Sequence, residues 1–393
     1  MRGTETVCIV IPTYRRPNYL AKLLTYLSRQ GVSYQIVVSD SSPSPEGEIN
    51  QGIIERLQNQ LDLRYLRFDP KIPIVSKITE ALKAADADYS LVCADDDFVI
   101  PAAIQRSADF LESNQDYATT SGRYVSVYAA EVKRPHQVVW RKADASTPRS
   151  KLWAIRQETP TIGYADPSIR LSQGAFSEVR AFYAVHRRQN HVRNMELASQ
   201  VSDDWFFAEH LLMCLSLIQG KLASLDTLYM VRRYESHDDY SGADPWARPF
   251  HELIVSSDFS QKYLRFRDCL GYELSKGSGI SFENASKLVD QAFLRYLAQY
   301  LGHYLASPSI DRSYFHGVER LIKMLLMGLA AGRSALLDRR FRDLLASPLE
   351  FAIMTYVLRE HSQPLDAFVR RYSSYRGFMP MDVFLSDDAP HDF

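Results

Sequence analysis

The chain has 393 residues, 46% of them hydrophobic, and a formal net charge of -1 at pH 7. That is apolar material for a large core and length for two domains, and the near-zero charge excludes a global field directed at nucleic acid. The four cysteines, Cys8, Cys93, Cys214 and Cys269, are spaced neither for a metal nor for a disulfide framework, and no window approaches about eighteen uninterrupted apolar residues. The expectation is a chain that does not span a membrane, carries no cleaved signal peptide and works in a reducing cytoplasm.

In chain order, Val7-Cys8-Ile9-Val10-Ile11 predicts a buried strand that breaks at Pro12, and Pro17 opens a helical pattern carrying Leu20, Leu23, Leu24 and Leu27. A second strand, Ile36-Val37-Val38, ends in the turn signals Ser39-Asp40-Ser41-Ser42-Pro43. A third apolar run, Ser90-Leu91-Val92-Cys93-Ala94, ends in Asp95-Asp96-Asp97. Strand, helix, strand, turn, helix, strand is the rhythm of a parallel sheet with right-handed crossovers, so Thr13, Asp40 and the three aspartates should meet at one sheet edge. Strand alternation would turn Asp95 and Asp97 one way and Asp96 the other. Carboxylates this close repel, and a divalent cation is the simplest relief; a solvated acidic turn is the bland alternative.

Pro101 then starts a helix with Ile104, Ala108 and Leu111 on one face, closing near Ser113-Asn114, and Tyr117 to Tyr128 reads as strand. Lys133 to Arg149, with Pro135 and Pro148, reads as a loop. Ser202 or Asp203 can cap the apolar helix that follows. Leu228 to Tyr234 is a strand whose Arg232 and Arg233 either face a diphosphate or cover a sheet edge. From about Phe250 helical spacing takes over, and residues 255–393 read as an α-helical domain. Its stretch Leu321 to Leu329, near Arg339, Arg340 and Arg342, fits either a core helix or one lying on a membrane surface, and self-association through these helices stays open. The acidic end from Pro380 is expected to fray.

The segments Ile9-Val10-Ile11-Pro12-Thr13-Tyr14-Arg15-Arg16-Pro17, Val37-Val38-Ser39-Asp40-Ser41-Ser42 and Ala94-Asp95-Asp96-Asp97, in this order, resemble the family 2 glycosyltransferases, which have the nucleotide-sugar-binding GT-A fold. The resemblance covers roughly the first 130 residues well and continues more weakly to about residue 240. It implies an α/β GT-A sheet in residues 1–250, a nucleoside diphosphate sugar donor with UDP preferred, and Mn²⁺ or Mg²⁺. It further implies a glycan or lipid-linked acceptor, inversion at the transferred sugar and a setting in surface polysaccharide or glycoconjugate synthesis. Carried over residue by residue, Pro12, Thr13, Tyr14, Arg16 and Asp40 fall on nucleotide contacts, Asp95 on a ribose contact and Asp97 on the metal ligand, with Asp96 second in line. His237 falls where some such enzymes take a further metal ligand. Many relatives have an Arg-Asn pair in the helix before the aspartate strand; here Lys77 or Lys71 would have to supply the phosphate contact. The acidic pair that carries the general base falls on Asp204, with Asp203 second, while Glu209 reads as structural.

Two other classes fit parts of the sequence. Asp95-x-Asp97-x-Val99 also suits a haloacid-dehalogenase-type phosphatase with Asp95 as nucleophile, although that fold puts the motif on its first strand. A non-catalytic nucleotide-sugar-binding protein is the other. A sugar nucleotidyltransferase would need a Gly-rich loop after the first strand, and Pro12 to Pro17 has none.

Overall fold

The computed structural model describes residues 6–134, 137–140, 152–157, 159–175, 181–234 and 250–306. The chain begins β1 (Val7–Thr13), α1 (Pro17–Arg29), β2 (Gln35–Asp40), α2 (Glu46–Leu57), β3 (Leu63–Arg67), α3 (Ile74–Ala84) and β4 (Tyr89–Val92). After β4 come β5 (Phe98–Val99), α4 (Pro101–Ser113), β6 (Tyr117–Arg134), β7 (Gln137–Trp140) and β8 (Leu152–Gln157). Then follow α5 (Pro167–Gly174), β9 (Val185–Arg187), α6 (Arg188–Val201), α7 (Trp205–Gln219), β10 (Lys221–Tyr234), α8 (Phe250–Ile254), α9 (Phe259–Ser278) and α10 (Phe282–Ala306).

Along the main sheet the strand order is β3-β2-β1-β4-β9-β6-β10-β5. The first four strands are parallel, as their crossover helices require, and β6 and β10 are parallel to each other. The short β9 is antiparallel to both β4 and β6, and β5 is antiparallel to β10. The expected α/β GT-A architecture is therefore present, mostly parallel with antiparallel insertions. Register brings Thr13 opposite Asp40 and Val10 opposite Val92, which aligns three strand ends along one edge.

Alternation along β1 explains the two apolar layers. Ile9 and Ile11 face a cluster with Leu20, Leu23, Leu24 and Leu27 of α1 and Ile104 and Leu111 of α4, whereas Cys8 and Val10 face one with Val75, Ile78 and Leu82 of α3 and Phe207 and Leu211 of α7. Both faces of the parallel strands are covered, so they read as unbroken apolar runs. Helices α8 to α10 continue the second layer. Phe250, Phe266, Leu270, Leu274, Val289 and Phe293 belong to the same buried cluster as Phe207. Residues 307–393, including the Leu321 to Leu329 stretch, lie outside the described residues.

One expectation is corrected. Lys133 and Arg134 are not loop but the end of β6, which pairs antiparallel with β7, Ala130 opposite Trp140 and Val132 opposite Val138. The β-branched and aromatic Val138-Val139-Trp140 fits a paired strand, and this outweighed the proline signals. Residues 141–151 lie outside the described residues.

Strand β9 places His186 between Ser90 and Thr119, and its ring stacks on His191 of α6 with centroids 4.3 Å apart. His186 Nε2 donates to the Ala181 carbonyl (2.6 Å), and His191 Nδ1 lies 2.9 Å from Ser90 Oγ. Burial drives the His186 pKa down to about 4, and burial with the neighbouring His186 drives His191 well below 6.5. A histidine depressed in the fold stabilises it above its unfolded pKa near 6.5, and that stability is lost as pH falls toward the folded value. For His186 this amounts to about 3 kcal/mol by pH 4. Asp95, raised to about 6, works in the opposite direction over nearly the same window, so the net loss falls to His191 and to His210, which burial also holds below 6.5. Stability measured by urea unfolding should therefore fall from pH 6.5 to 4.5, and His191→Gln, able to keep a hydrogen bond to Ser90, should flatten that fall. An unchanged slope in the variant would contradict this account.

Candidate active site

The loop after β1 is shaped by strand-end contacts. Arg15 takes a left-handed backbone (φ 56°), uncommon for a residue with a Cβ and tolerated where the surroundings fix it. Here its N–H donates to Ser42 Oγ (2.8 Å), and the Ser41 N–H donates to the Thr13 carbonyl (3.3 Å), locking the β1 and β2 ends together. Lys77 of α3, buried, donates from Nζ to the Thr13 carbonyl (2.8 Å) and Ser41 Oγ (2.9 Å). Its ammonium thus serves the strand ends. Asp40 is fully buried; its carboxylate accepts from the Ser42 N–H (2.7 Å), Asn50 Nδ2 (3.0 Å) and Tyr65 OH (2.6 Å). A nucleotide base reaching Asp40 would have to displace Tyr65.

Beside this loop stand the three aspartates. Strand β4 stops at Val92, and the Asp97 N–H closes a turn on the Ala94 carbonyl (3.1 Å). The alternation expected of a strand does not apply in a turn. Asp95 and Asp96 share one partner, Arg16, whose guanidinium lies 3.1 Å from Asp95 Oδ1 and 2.9 Å from Asp96 Oδ2. Asp97 Oδ2 accepts from Arg232 Nε of β10 (3.2 Å), and that guanidinium lies 4.5 Å above the Tyr183 ring. Thr13 Oγ1 donates to Asp95 Oδ2 (2.7 Å). All three side chains are buried. Desolvation, reinforced by Asp96, pushes the Asp95 pKa up to about 6 against the pull of Arg16 and Thr13.

The donor set suits a hard cation bound together with a ligand. Among the described residues no three His, Cys, Asp or Glu side chains converge as a cage. Mg²⁺ and similar ions use one or two carboxylates plus substrate phosphates and water, and Asp97 with Asp96 offers that. His237 lies outside the described residues, as does the Arg233 side chain.

Asp204 is the N-cap of α7: its Oδ1 accepts from the Phe206 N–H (3.2 Å), and its own N–H donates to Ser202 Oγ (3.0 Å). Lys262 of α9 lies 3.1 Å from Asp203, 3.1 Å from Asp258 and 3.8 Å from Asp204 Oδ2. Asp204 is buried and Asp203 is exposed. Trp205, next to the cap, packs edge-on against Phe182, 4.9 Å between centroids, and Phe182 against Tyr183. An unbroken series of contacts thus runs from Asp97 through Arg232, Tyr183, Phe182 and Trp205 to Asp204.

The structure brings together Thr13, Arg16, Asp95, Asp96 and Asp97, places Pro12 at the end of β1 and Tyr14 on the loop after it, and sets Asp40 and Lys77 beside these strand ends as supports. Tyr183 and Lys262 were missed from sequence. Tyr183 sits in a single 3-10 turn (Ala181–Tyr183) with no periodicity, and Lys262 lies on a helix whose pattern shows only its apolar face.

Residues 8–169 match the family model described as Glycosyl transferase family 2. No curated protein matches the chain. Among solved structures, S. aureus TarS 1-349 in complex with UDP-GlcNAc is similar at 16% identity over 95% of this chain and 94% of that chain, with a TM-score of 0.47. The mannosyltransferase PcManGT from Pyrobaculum calidifontis, in complex with GDP-Man and Mn²⁺, is similar at 12% identity over 96% of this chain and 89% of that one, with a TM-score of 0.39. Likeness at that level carries no inference to this chain's donor, metal or acceptor. The family match covers the strand ends that build the site.

Proposed function

We propose that this chain is a metal-dependent, inverting glycosyltransferase that moves a sugar from a nucleoside diphosphate sugar, UDP-linked by preference, to a hydroxyl of a glycan or lipid-linked acceptor, in surface polysaccharide or glycoconjugate synthesis. The observation that carries it is the trio of buried carboxylates at the β4 end, set against Thr13 and flanked by Arg16 and Arg232. Asp97, with Asp96, would hold Mn²⁺ or Mg²⁺, which when bound neutralises charge on the departing diphosphate. Asp95 accepts from ribose hydroxyls, Tyr14 and Pro12 line the base, and Asp40 and Lys77 hold the two strand ends in register. Asp204 takes the acceptor proton at Oδ2, the oxygen turned toward Lys262, with Asp203 as second choice.

The phosphatase reading is weaker on this geometry. Asp95, the would-be nucleophile, accepts from Thr13 on one oxygen and from Arg16 on the other. Among the described residues no helix is long and apolar enough to cross a membrane. Contact with a membrane surface and self-association through the helices after residue 250 remain proposals of the same reading.

A panel of UDP-, GDP-, ADP- and dTDP-sugars, each with Mn²⁺, Mg²⁺ or EDTA, tests the proposal by melting temperature and by release of nucleoside diphosphate. UDP-sugars should raise the melting point only with a cation present; ligand at about 100 times its Kd stabilises by about 2.7 kcal/mol. No shift and no release with any pair would overturn it.

A further inference from the structure

Lys262 connects the helices after residue 250 to Asp204. It lies in the first turn of α9, four residues after Asp258, and its Nζ stands 3.1 Å from Asp258 Oδ2, 3.1 Å from Asp203 Oδ1 and 3.8 Å from Asp204 Oδ2. The helix that carries it is fixed by aromatic packing. Phe259 and Phe266 of α9 lie 6.0 and 5.4 Å from Phe207 of α7 between ring centroids, and Tyr263 OH donates to Asp290 of α10 (2.5 Å). A lysine with 16% of its side chain exposed is uncommon without anions beside it, and the half-exposed Asp203 and Asp258 would already serve as such partners. The third carboxylate is the informative one. Asp204 is only 2% exposed; its Oδ1 accepts from the Phe206 N–H, and its Oδ2 is turned to the ammonium. Further along α7 come Glu209 and His210, whose Nδ1 donates to the Phe206 carbonyl. Of the charged groups on other helices packed against α7, Arg170 of α5 donates to the Leu217 and Ile218 carbonyls at its far end, and Arg193 of α6 pairs with Glu273 of α9.

Resting on the assignment of Asp204 as base, we propose that Lys262 is a positioning residue: its ammonium keeps the Asp204 carboxylate ionised and fixed in orientation until the acceptor hydroxyl gives up its proton. A positive charge this close favours the ionised form of a carboxylate. In the step itself the acceptor oxygen bonds to the anomeric carbon, the bond from that carbon to the diphosphate oxygen breaks, and the hydroxyl proton ends on Asp204 Oδ2. Asp204 is then neutral, but Asp203 and Asp258 still face the ammonium, so Lys262 does not become a buried cation without an anion. The helices after residue 250 thereby supply part of the catalytic geometry.

UDP release from UDP-glucose, or from the UDP-sugar of the panel that turns over fastest, is measured with Mn²⁺ and with water as acceptor between about pH 4.5 and 8.5. Wild type, Lys262→Met and Lys262→Arg are compared, beside their UDP affinities by calorimetry. Lys262→Met should move the acid limb of kcat up by about one pH unit, so that turnover on that limb falls about tenfold and recovers toward alkaline pH. UDP affinity should change by less than about twofold, because the base acts on the acceptor side. Lys262→Arg keeps the charge and should leave the limb near its wild-type place. Lys262→Gln takes the place of the methionine variant if that one does not fold. An acid limb in its wild-type place in the uncharged variant, whatever the fall in overall rate, overturns the positioning role and leaves the base and donor readings standing. Full turnover in Asp204→Asn overturns the base reading and the role of Lys262 with it. A wild type that releases no UDP from any UDP-sugar overturns the donor reading as well.

Discussion

Asp97→Asn should abolish the cation dependence of UDP binding and lower UDP affinity in the presence of Mn²⁺ by about 100-fold or more, since even residues one step behind a metal ligand cost about 10 to 100-fold when replaced. Asparagine keeps the shape and an acceptor oxygen for Arg232, which now donates to Asp97 Oδ2 at 3.2 Å. Asp97→Ala should show the same binding loss together with a drop in stability of about 3 kcal/mol, the usual result of removing one partner of a buried pair. Calorimetry with Mn²⁺ and with EDTA, beside a melting curve, separates ligand loss from fold loss. Equal UDP affinity in wild type and Asp97→Asn would remove Asp97 from the metal site.

Asp204→Asn is the second substitution with a large expected effect, and the cap geometry sharpens it. Asparagine caps a helix as well as aspartate does, so the bond from the Phe206 N–H should survive and stability should change by no more than about 0.5 kcal/mol. Proton abstraction is lost, and turnover should fall by about 10² to 10⁴ with little change in donor affinity. Asp204→Ala, which removes the cap too, should cost about 1 kcal/mol in addition. If the residue acts only as a cap, the asparagine variant will turn over normally and only the alanine variant will suffer. Full turnover in both Asp204→Asn and Asp203→Asn would refute the assignment of the base to this acidic pair.

What the sequence made legible follows from burial. The first, second and fourth strands are covered on both faces, so their residues form apolar runs with unambiguous ends, and α1 and α4 announce themselves by Pro17 and Pro101 at their starts. Three such ends were enough to assemble Thr13, Asp40 and the aspartates. What stayed hidden depends on distant partners. Strand β3 is half exposed and reads Leu-Arg-Tyr-Leu-Arg, β5 has two residues and β9 three, so none has a periodicity of its own. The orientation of the aspartates was misjudged because a strand rule was carried past the end of the strand at Val92, into a turn fixed by Ala94 and Asp97. Asp40 and Lys77 have the residue types of ligands, yet their contacts are with Tyr65, Asn50 and the Thr13 carbonyl, which no local pattern encodes.

The place of β10 has a consequence for how the protein comes into being. Thr13 and Asp95 are 82 residues apart in sequence and Asp97 and Arg232 are 135 apart, so the pocket is assembled by loop closures of increasing length. Ordering such long loops is slow relative to local helix formation, and the sheet cannot acquire its Arg232 before the strand that carries it has docked beside β6. A chain still short of that step has carboxylates crowded at the end of β4 without the ion pair that Arg232 makes with Asp97. It offers a nucleotide little, so ligand selects the finished molecule over its near-complete precursors, and binding rewards the last event of folding.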